Sequence, residues 1–471
     1  MLPLRKDLRS VAVIGPAADT VSYGDYTETR GRKGGVSVLD GIRAAVSPET
    51  EVLYERGCNF LGQALHPFDP SMLRDENGES GLTGHYYNGP VPQGEPVQVR
   101  TDRTVNFNWI FALPHPALDA NCFSVVWTGS VVMPRTMDGC IGLSTQDSMR
   151  LYVDDKLLID GWGKDKSADQ ALDFHFEAGR TYKIRIEFVN DRRGARVIFG
   201  YSAGWENFPA AVEAARKADV AILCMGDNEE TSGENFDRTD LNLPGRQLEL
   251  VQAVYATGTP VVLVLQSGRP VTANWENDHL PAILEAWFPG EQGGTAIAKT
   301  LFGDAAPGGR LPITFPRSVG QIPCHYSRRP GGGKRYVEMD WLPLYPFGYG
   351  LTYTTFAYRD MALSRSVIDP QDTVTVSVTV TNTGKYTGDA VPQLYVRDMF
   401  SSVVKPERQL AAFRRLTLAP GESRRVELTV GPKQLRTLGP DYVWRVEPGK
   451  FELQLGDNAE NILLRADLTV E

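Results

Sequence analysis

The stretch from residue 218 to 238, ADVAILCMGDNEETSGENFDR, changes character at Gly226. Its first half is an unbroken apolar run. A strand that is apolar on both faces must be covered on both, as in a sheet sandwiched between layers of helix. Its second half is a loop carrying Asp227, Glu229, Glu230, Glu234 and Asp237. In open α/β sheets ligands bind beyond the carboxyl ends of the strands, so this loop stands where a site belongs. A carboxyl here can act as a general acid if burial or nearby negative charge raises its pKa. The competing reading is a solvated acidic loop that caps the next helix, and composition alone leaves both open.

The same grammar continues outward. FPAAVEAARKA (208–218) is an amphipathic helix leading into the apolar strand. LPGRQLELVQAVYATG (243–258) is a helix ended by Gly, TPVVLVLQSG (259–268) a second buried strand, PAILEAWFPG (281–290) a third, and EQGGTAIAKTLFG (291–303) another helix. Far upstream, SVAVIG (10–15), VSVLDGIRAAV (36–46) and EVLYERG (51–57) read as strand, helix and strand. Between the two α/β parts the pattern is different. After a polar, Pro-bearing PFDPSMLRDENGES (67–80), short alternating strands follow one another, among them FSVVWTGSVVM, RTYKIRIEFVND and ARVIFGYSAGW. The expected architecture is therefore multidomain: a flavodoxin-like α/β sandwich interrupted by a β-sandwich insert, then an immunoglobulin-like β-sandwich built on TVTVSVTVTNTG (373–384) and its neighbours. Expected boundaries are 1–66 and 207–317 for the α/β domain, 67–206 for the insert, 318–357 for an extended linker rich in Gly, Pro and Tyr, and 358–471 for the last domain.

A length of 471 residues accommodates about three domains. The net charge of −9 argues against nucleic-acid binding, which needs a basic face, and RRPGGGKR (328–335) reads better as a flexible loop. The five cysteines are scattered without C-x-x-C or Cys/His zinc spacing, so neither a disulfide framework nor a metal is expected; Cys224 reads as a small core thiol. No apolar run is long enough to span a membrane. The start, MLPLRKDLRSVAVIG, has charges where a signal peptide needs its apolar stretch. The expected location is cytoplasmic if Met1 is the true start, and periplasmic or secreted if the chain is truncated. No serine-hydrolase elbow, dinucleotide fingerprint or Walker motif surrounds the Gly pairs at 34–35 and 293–294.

Taken together, GDYTETRGRKGGVSVLDGIRAAV, SGENFDRTDLNLPGRQLELVQAV, VVLVLQSGRPV, ILEAWFPGEQGGTAIAKTLFGDAAPGGRLPITFPRSVGQIP and YPFGYGLTYTTF resemble glycoside hydrolase family 3, which includes β-glucosidases and β-xylosidases. The order and spacing match over roughly residues 9–66 and 208–471. GLTGHYYNG and RLYVDDKLLIDGW resemble the protective-antigen-type carbohydrate module of some members, and the tail resembles the family's fibronectin type III-like domain. The resemblance implies that Glu234 of GENFDR is the catalytic acid/base, with Glu230 and Glu229 as fallbacks in a loop of variable length. It also implies a substrate: a β-linked oligosaccharide or an aryl or alkyl glycoside, without cofactor, metal or nucleic acid. The resemblance further implies that the nucleophile is an Asp, usually preceding Trp, in an N-terminal (β/α)8 barrel of about 250 residues, and no such motif is expected in this chain. A separate or missing barrel segment is thus an expected partner; a non-catalytic carbohydrate-binding protein is the alternative. Trp287 reads as a sugar-stacking wall or as core. Asp25 and Tyr26 of GDYT lie on the loop beyond the first strand and are weaker substrate-binding candidates. Tyr345, Phe347 and Tyr349 read as anchors of the linker.

Overall fold

The computed structural model describes residues 1–471 except Asp25 and residues 28–33, 61–64, 110–112, 146, 164–167, 191–194, 204–207, 229–230 and 332–334. The chain falls into two compact units, one formed by residues 1–55 and 211–471 and the other by 56–210.

The first unit begins with the α/β domain. Strands β1 (Ser10–Ile14) and β2 (Glu51–Glu55) come from the N-terminal part; β3 (Val220–Gly226), β4 (Val261–Gln266) and β5 (Ala282–Glu285) follow the insert. All neighbours pair in parallel, in the order β5-β4-β3-β1-β2. Numbered along the chain this is the doubly wound order of flavodoxin, whose switch point lies between the first and third strands. Every residue of β1, β3 and β4 is buried, as their unbroken apolar runs require. The helices are α1 (Val38–Ala45), α2 (Phe208–Lys217), α3 (Gln247–Tyr255), α4 (Asn274–His279) and α5 (Gly293–Leu301). Ser37 caps α1 by accepting from Asp40 N at 3.1 Å. The glycines of LDGI and EQGG have a packing role. A Cβ on Gly41 would lie 2.2 Å from the Gly294 carbonyl oxygen, and one on Gly294 would lie 1.9 Å from that of Ser37. These two helices touch backbone to backbone, which only Gly permits.

The C-terminal β-sandwich belongs to the same unit. Strands Phe356–Leu363, Val374–Asn382 and Ser423–Val430 form one sheet; Val367–Ile368, Ile462–Val470, Gly449–Gly456, Gln393–Asp398 and Gln409–Phe413 form the other. Val374, Val376, Val378 and Val380 point into a core shared with Leu394, Phe451 and Leu453, while the residues between them stay half-exposed. This is the period-two pattern of a sheet with one buried face.

Between the two folds the chain from Leu311 to Tyr353 is pinned on both sides. Leu311 N donates to Tyr349 O at 2.8 Å and Gly348 N to Leu311 O at 2.8 Å. Phe315 and Tyr345 form an isolated antiparallel bridge. On the sandwich side, Gln393 Nε2 donates to Gly348 O at 3.0 Å and Ala459 N to Phe347 O at 3.0 Å. The rings of YPFGYG anchor this segment: Tyr345 stacks on Tyr349, and Phe347 stacks on Tyr326.

The second unit is a β-sandwich of one seven-stranded and one five-stranded sheet. Its core is aromatic, with Phe68, Trp109, Phe123, Trp127, Phe188 and Phe199 in one cluster. A buried polar network sits inside it. Asp102 accepts from Trp127 Nε1 at 2.8 Å and from Arg100 Nε at 2.7 Å, and the Tyr86 hydroxyl donates to the same carboxylate. The VDD of residues 153–155 is a hairpin turn between strands Ser148–Val153 and Lys156–Asp160, with Asp154 and Asp155 at positive φ. Cys224 is a buried thiol, and burial pushes it up, as befits a core side chain.

Candidate active site

Parallel pairing places the carboxyl ends of all five strands along one edge, with the switch point between β1 and β3. Four loops meet there. Gly24, from the loop after β1, faces the Phe288 ring, which follows β5. Gly268, after β4, faces the same ring and the Ser232 hydroxyl of the loop after β3. A Cβ on Gly268 would come within 2.5 Å of Ser232 Oγ and 3.0 Å of the Phe288 ring.

The loop after β3 is tied down at its first residue. Asp227 is only 2% exposed, and Arg269 grips it through two hydrogen bonds, Nε to Oδ2 at 3.0 Å and Nη2 to Oδ1 at 2.7 Å. A two-pronged guanidinium–carboxylate pair fixes both direction and distance. The same Nη2 donates to Thr231 O at 2.6 Å, and Thr231 Oγ1 donates to Asp227 Oδ1 at 2.9 Å. Arg238, at the far end of the loop, brings a second guanidinium to 3.8 Å from Asp227. Asp227 is therefore the anchor of the loop, its oxygens already spent on the protein.

Glu234 stands on the turn these contacts hold. Phe236 N closes the turn on Gly233 O at 3.2 Å, and Asn235 takes φ 64°, a left-handed conformation that Asn tolerates better than most residues. Glu234 is exposed. Asp237 of the same loop is exposed as well. The fallbacks Glu229 and Glu230 lie outside the described residues, as does Asp25. Tyr26 is 78% exposed with φ 58°, and its ring covers no part of the core.

Trp287 and its support were only half visible in the sequence. β5 ends at Glu285, and the chain turns sharply so that Trp287 adopts φ 52°. Trp287 N donates to Glu285 Oε1 at 2.9 Å, closing the turn on a side chain. The ring is half-buried and meets Phe315 edge-on at 5.8 Å, so it is both packed and partly open. Glu285 Oε2 is enclosed and has no hydrogen-bond partner among the described residues. Burial pushes this carboxyl up to about 8; the Trp287 N–H opposes the shift, and the negative charge of Asp227 adds to it. The Glu285 carboxyl, whose neutral form burial favours, thus lies within electrostatic reach of Asp227. Sequence reasoning missed Glu285 and Arg269. Their signals were a lone acid closing the apolar run PAIL and an Arg just after the Gly that ends β4.

Among the described residues no group of three or more His, Cys, Asp or Glu could hold a metal ion. An Asp-Trp pair does occur, Asp340–Trp341, on the segment between the two folds. Asp340 Oδ1 caps a turn there by accepting from Leu342 N at 3.1 Å.

The model of the glycosyl hydrolase family 3 C-terminal domain matches residues 1–353, and that of the fibronectin type III-like domain matches residues 390–459. The chain belongs to glycosyl hydrolase family 3. A β-glucosidase of Rhizobium radiobacter is 34% identical over the whole of this chain and 60% of its own length. A β-xylosidase of Formosa agariphila is 45% identical over 62% of this chain and 42% of its own length. Among solved structures, the β-glucosidase of Kluyveromyces marxianus in complex with glucose superposes with a TM-score of 0.76 at 27% identity, over all of this chain and 60% of its own. The chain spans 34% to 61% of the lengths of the curated relatives it matches. It corresponds to the C-terminal part of family 3 proteins. Among its described residues, the one sheet with all its pairs parallel has five strands rather than the eight of a (β/α)8 barrel.

Proposed function

We propose that this chain supplies the acid/base half of a retaining β-glycosidase acting on β-glucosides or β-xylosides, and that a (β/α)8 barrel segment supplies the nucleophile. The observation that carries the reading is the Glu234 turn, clamped to the carboxyl edge of the sheet by the buried Asp227–Arg269 pair within a family 3 loop. In this mechanism Glu234 protonates the glycosidic oxygen as the barrel carboxylate attacks the anomeric carbon. It then takes a proton from the water that releases the sugar. The two carboxyls must approach to about 5–5.5 Å for that cycle, which calls for a loop held in place rather than a free one. Glu285 is enclosed, so its part is to support Trp287, not to reach substrate.

The test uses the whole chain, alone and mixed with a family 3 barrel segment. The chain alone is expected to release no sugar from aryl β-glucoside or β-xyloside. The mixture is expected to turn over, and Glu234→Gln to lose about 10²–10⁴ in kcat/KM, which ends at formation of the glycosyl-enzyme, with alkyl leaving groups. In kcat/KM, dinitrophenyl glycosides, whose leaving group needs no proton, are expected to lose far less. An equal loss on both substrates, or no loss on either, rejects the assignment.

A further inference from the structure

The segment joining the two folds forms nearly all of the lining of a cleft of about 360 Å³, the size of a small ligand pocket. Three of its lining residues are Tyr326, Trp341 and Phe347. Glu460 of the sandwich lies opposite, and His325 and Ser327 stand on the wall. None of the candidate active-site residues lines it.

The rings are held rigidly. Arg328 reaches across to the sandwich, pairing with Glu460 at 2.7 Å and Glu407 at 3.2 Å, while Glu407 N donates to Arg328 O at 2.8 Å. So fixed, its guanidinium covers one side of the Trp341 ring at 4.6 Å. Yet Trp341 stays 40% exposed. Behind it, the buried Gln321 donates from Nε2 to Trp341 O at 3.0 Å. Tyr326 stacks on Phe347 at 4.2 Å and its hydroxyl accepts from Leu410 N at 3.2 Å. A partly open tryptophan braced by a doubly paired arginine is more structure than a loose surface ring needs.

We infer that this cleft binds a pyranose unit of a neutral β-linked oligosaccharide, with Trp341 as its stacking platform. The CH face of a pyranose is apolar and packs onto an aromatic face, while its hydroxyl rim needs polar partners at the edge. The cleft offers both, through Trp341 and through His325 and Ser327. The Arg328 charge is balanced by two carboxylates, and Arg329 also lines the cleft. The choice of sugar class rests on the proposed glycosidase function; the cleft itself does not.

Calorimetry and saturation-transfer NMR of the full chain with cellotetraose and with xylotetraose test this. Saturable binding is expected to at least one tetraose, weakened at least ~10-fold by Trp341→Ala and kept within ~3-fold by Trp341→Phe. His325→Ala, at an exposed rim position, is a second variant whose folding is not at stake, and it is expected to weaken binding as well. Glu234→Gln is expected to bind as the parent does. Failure of both tetraoses to bind, or binding untouched by Trp341→Ala and His325→Ala, overturns the inference. Turnover unaffected by Glu234→Gln in the barrel mixture would instead sink the functional reading and leave this one standing.

Discussion

Glu285 makes a prediction whose sign runs against habit. Replacing an acid that has an enclosed oxygen usually destabilises, but here burial favours the neutral form of the carboxyl. Its ordinary value is 4.5, and in the folded chain burial pushes it up to about 8. Between those values the folded state holds a proton that the unfolded state has released, so stability falls as pH rises. The contribution is fully present below about 4.5 and lost by about 8. At ~1.4 kcal/mol per pH unit the whole window sets a ceiling of roughly 5 kcal/mol, and relaxation around the charge brings the expected figure to about 2–4 kcal/mol. Glu285→Gln keeps the shape and the acceptor for Trp287 N, and cannot ionise. The assay is urea unfolding of the full chain at pH 5, 6, 7, 8 and 9, parent against variant. Near pH 5 the two are expected to lie within about 1 kcal/mol of each other. By pH 9 the variant is expected to be the more stable by those 2–4 kcal/mol. Every other titrating group cancels in the difference. Parallel profiles across the range would show that Glu285 ionises normally and that its Oε2 is not enclosed in solution.

Three other perturbations test separate parts of the structure. Arg269→Met strands the Asp227 charge in a buried site and is expected to cost about 3–5 kcal/mol by urea unfolding, with much of the loss recovered by adding Asp227→Asn. Gly294→Ala drives a Cβ into the Ser37 carbonyl and is expected to lower stability by 1–3 kcal/mol or more (~5 °C or beyond in the first melting transition), whereas Gly309→Ala meets nothing within 4 Å and serves as the control. In the insert, Asp102→Leu leaves the Trp127 and Tyr86 donors buried without an acceptor. It is expected to cost about 2–5 kcal/mol, read as earlier loss of the near-ultraviolet tryptophan signal.

The sequence disclosed the elements whose pattern is local. DVAILCMG and TPVVLVLQSG are apolar on both faces and became the central strands of the parallel sheet; TVTVSVTVTNTG alternates and became a strand with one wet face. The flavodoxin-like layering could be expected because helices alternate with those strands. The loop after β3 could be marked as a place for a site because it follows a buried strand; Glu234 within it was named by the resemblance. What joins distant residues was not readable. Asp227 and Arg269 are 42 positions apart, and only the side-by-side pairing of β3 and β4 brings them together. The enclosure of Glu285 depends on the left-handed turn at Trp287, and nothing in the string AWFPG marks a positive φ at Trp. Likewise the grip of Arg328 on Glu407 and Glu460 crosses from one fold to the next, so RRPGGGKR read as a loop and nothing more.

The stitching between Leu311 and Tyr353 constrains how this molecule can vary. A slack tether may gain or lose a residue without consequence, because only its reach matters. Here Leu311 meets Tyr349, Phe315 meets Tyr345, Phe347 meets Ala459 and Gly348 meets Gln393, all within a few positions of each other. Removing one residue between Tyr345 and Tyr349 would shift every later stitch by about 3.5 Å against its partner. Substitutions there alter one contact; a deletion alters all of them. In this stretch a change in the number of residues disturbs more contacts than a change in their identity.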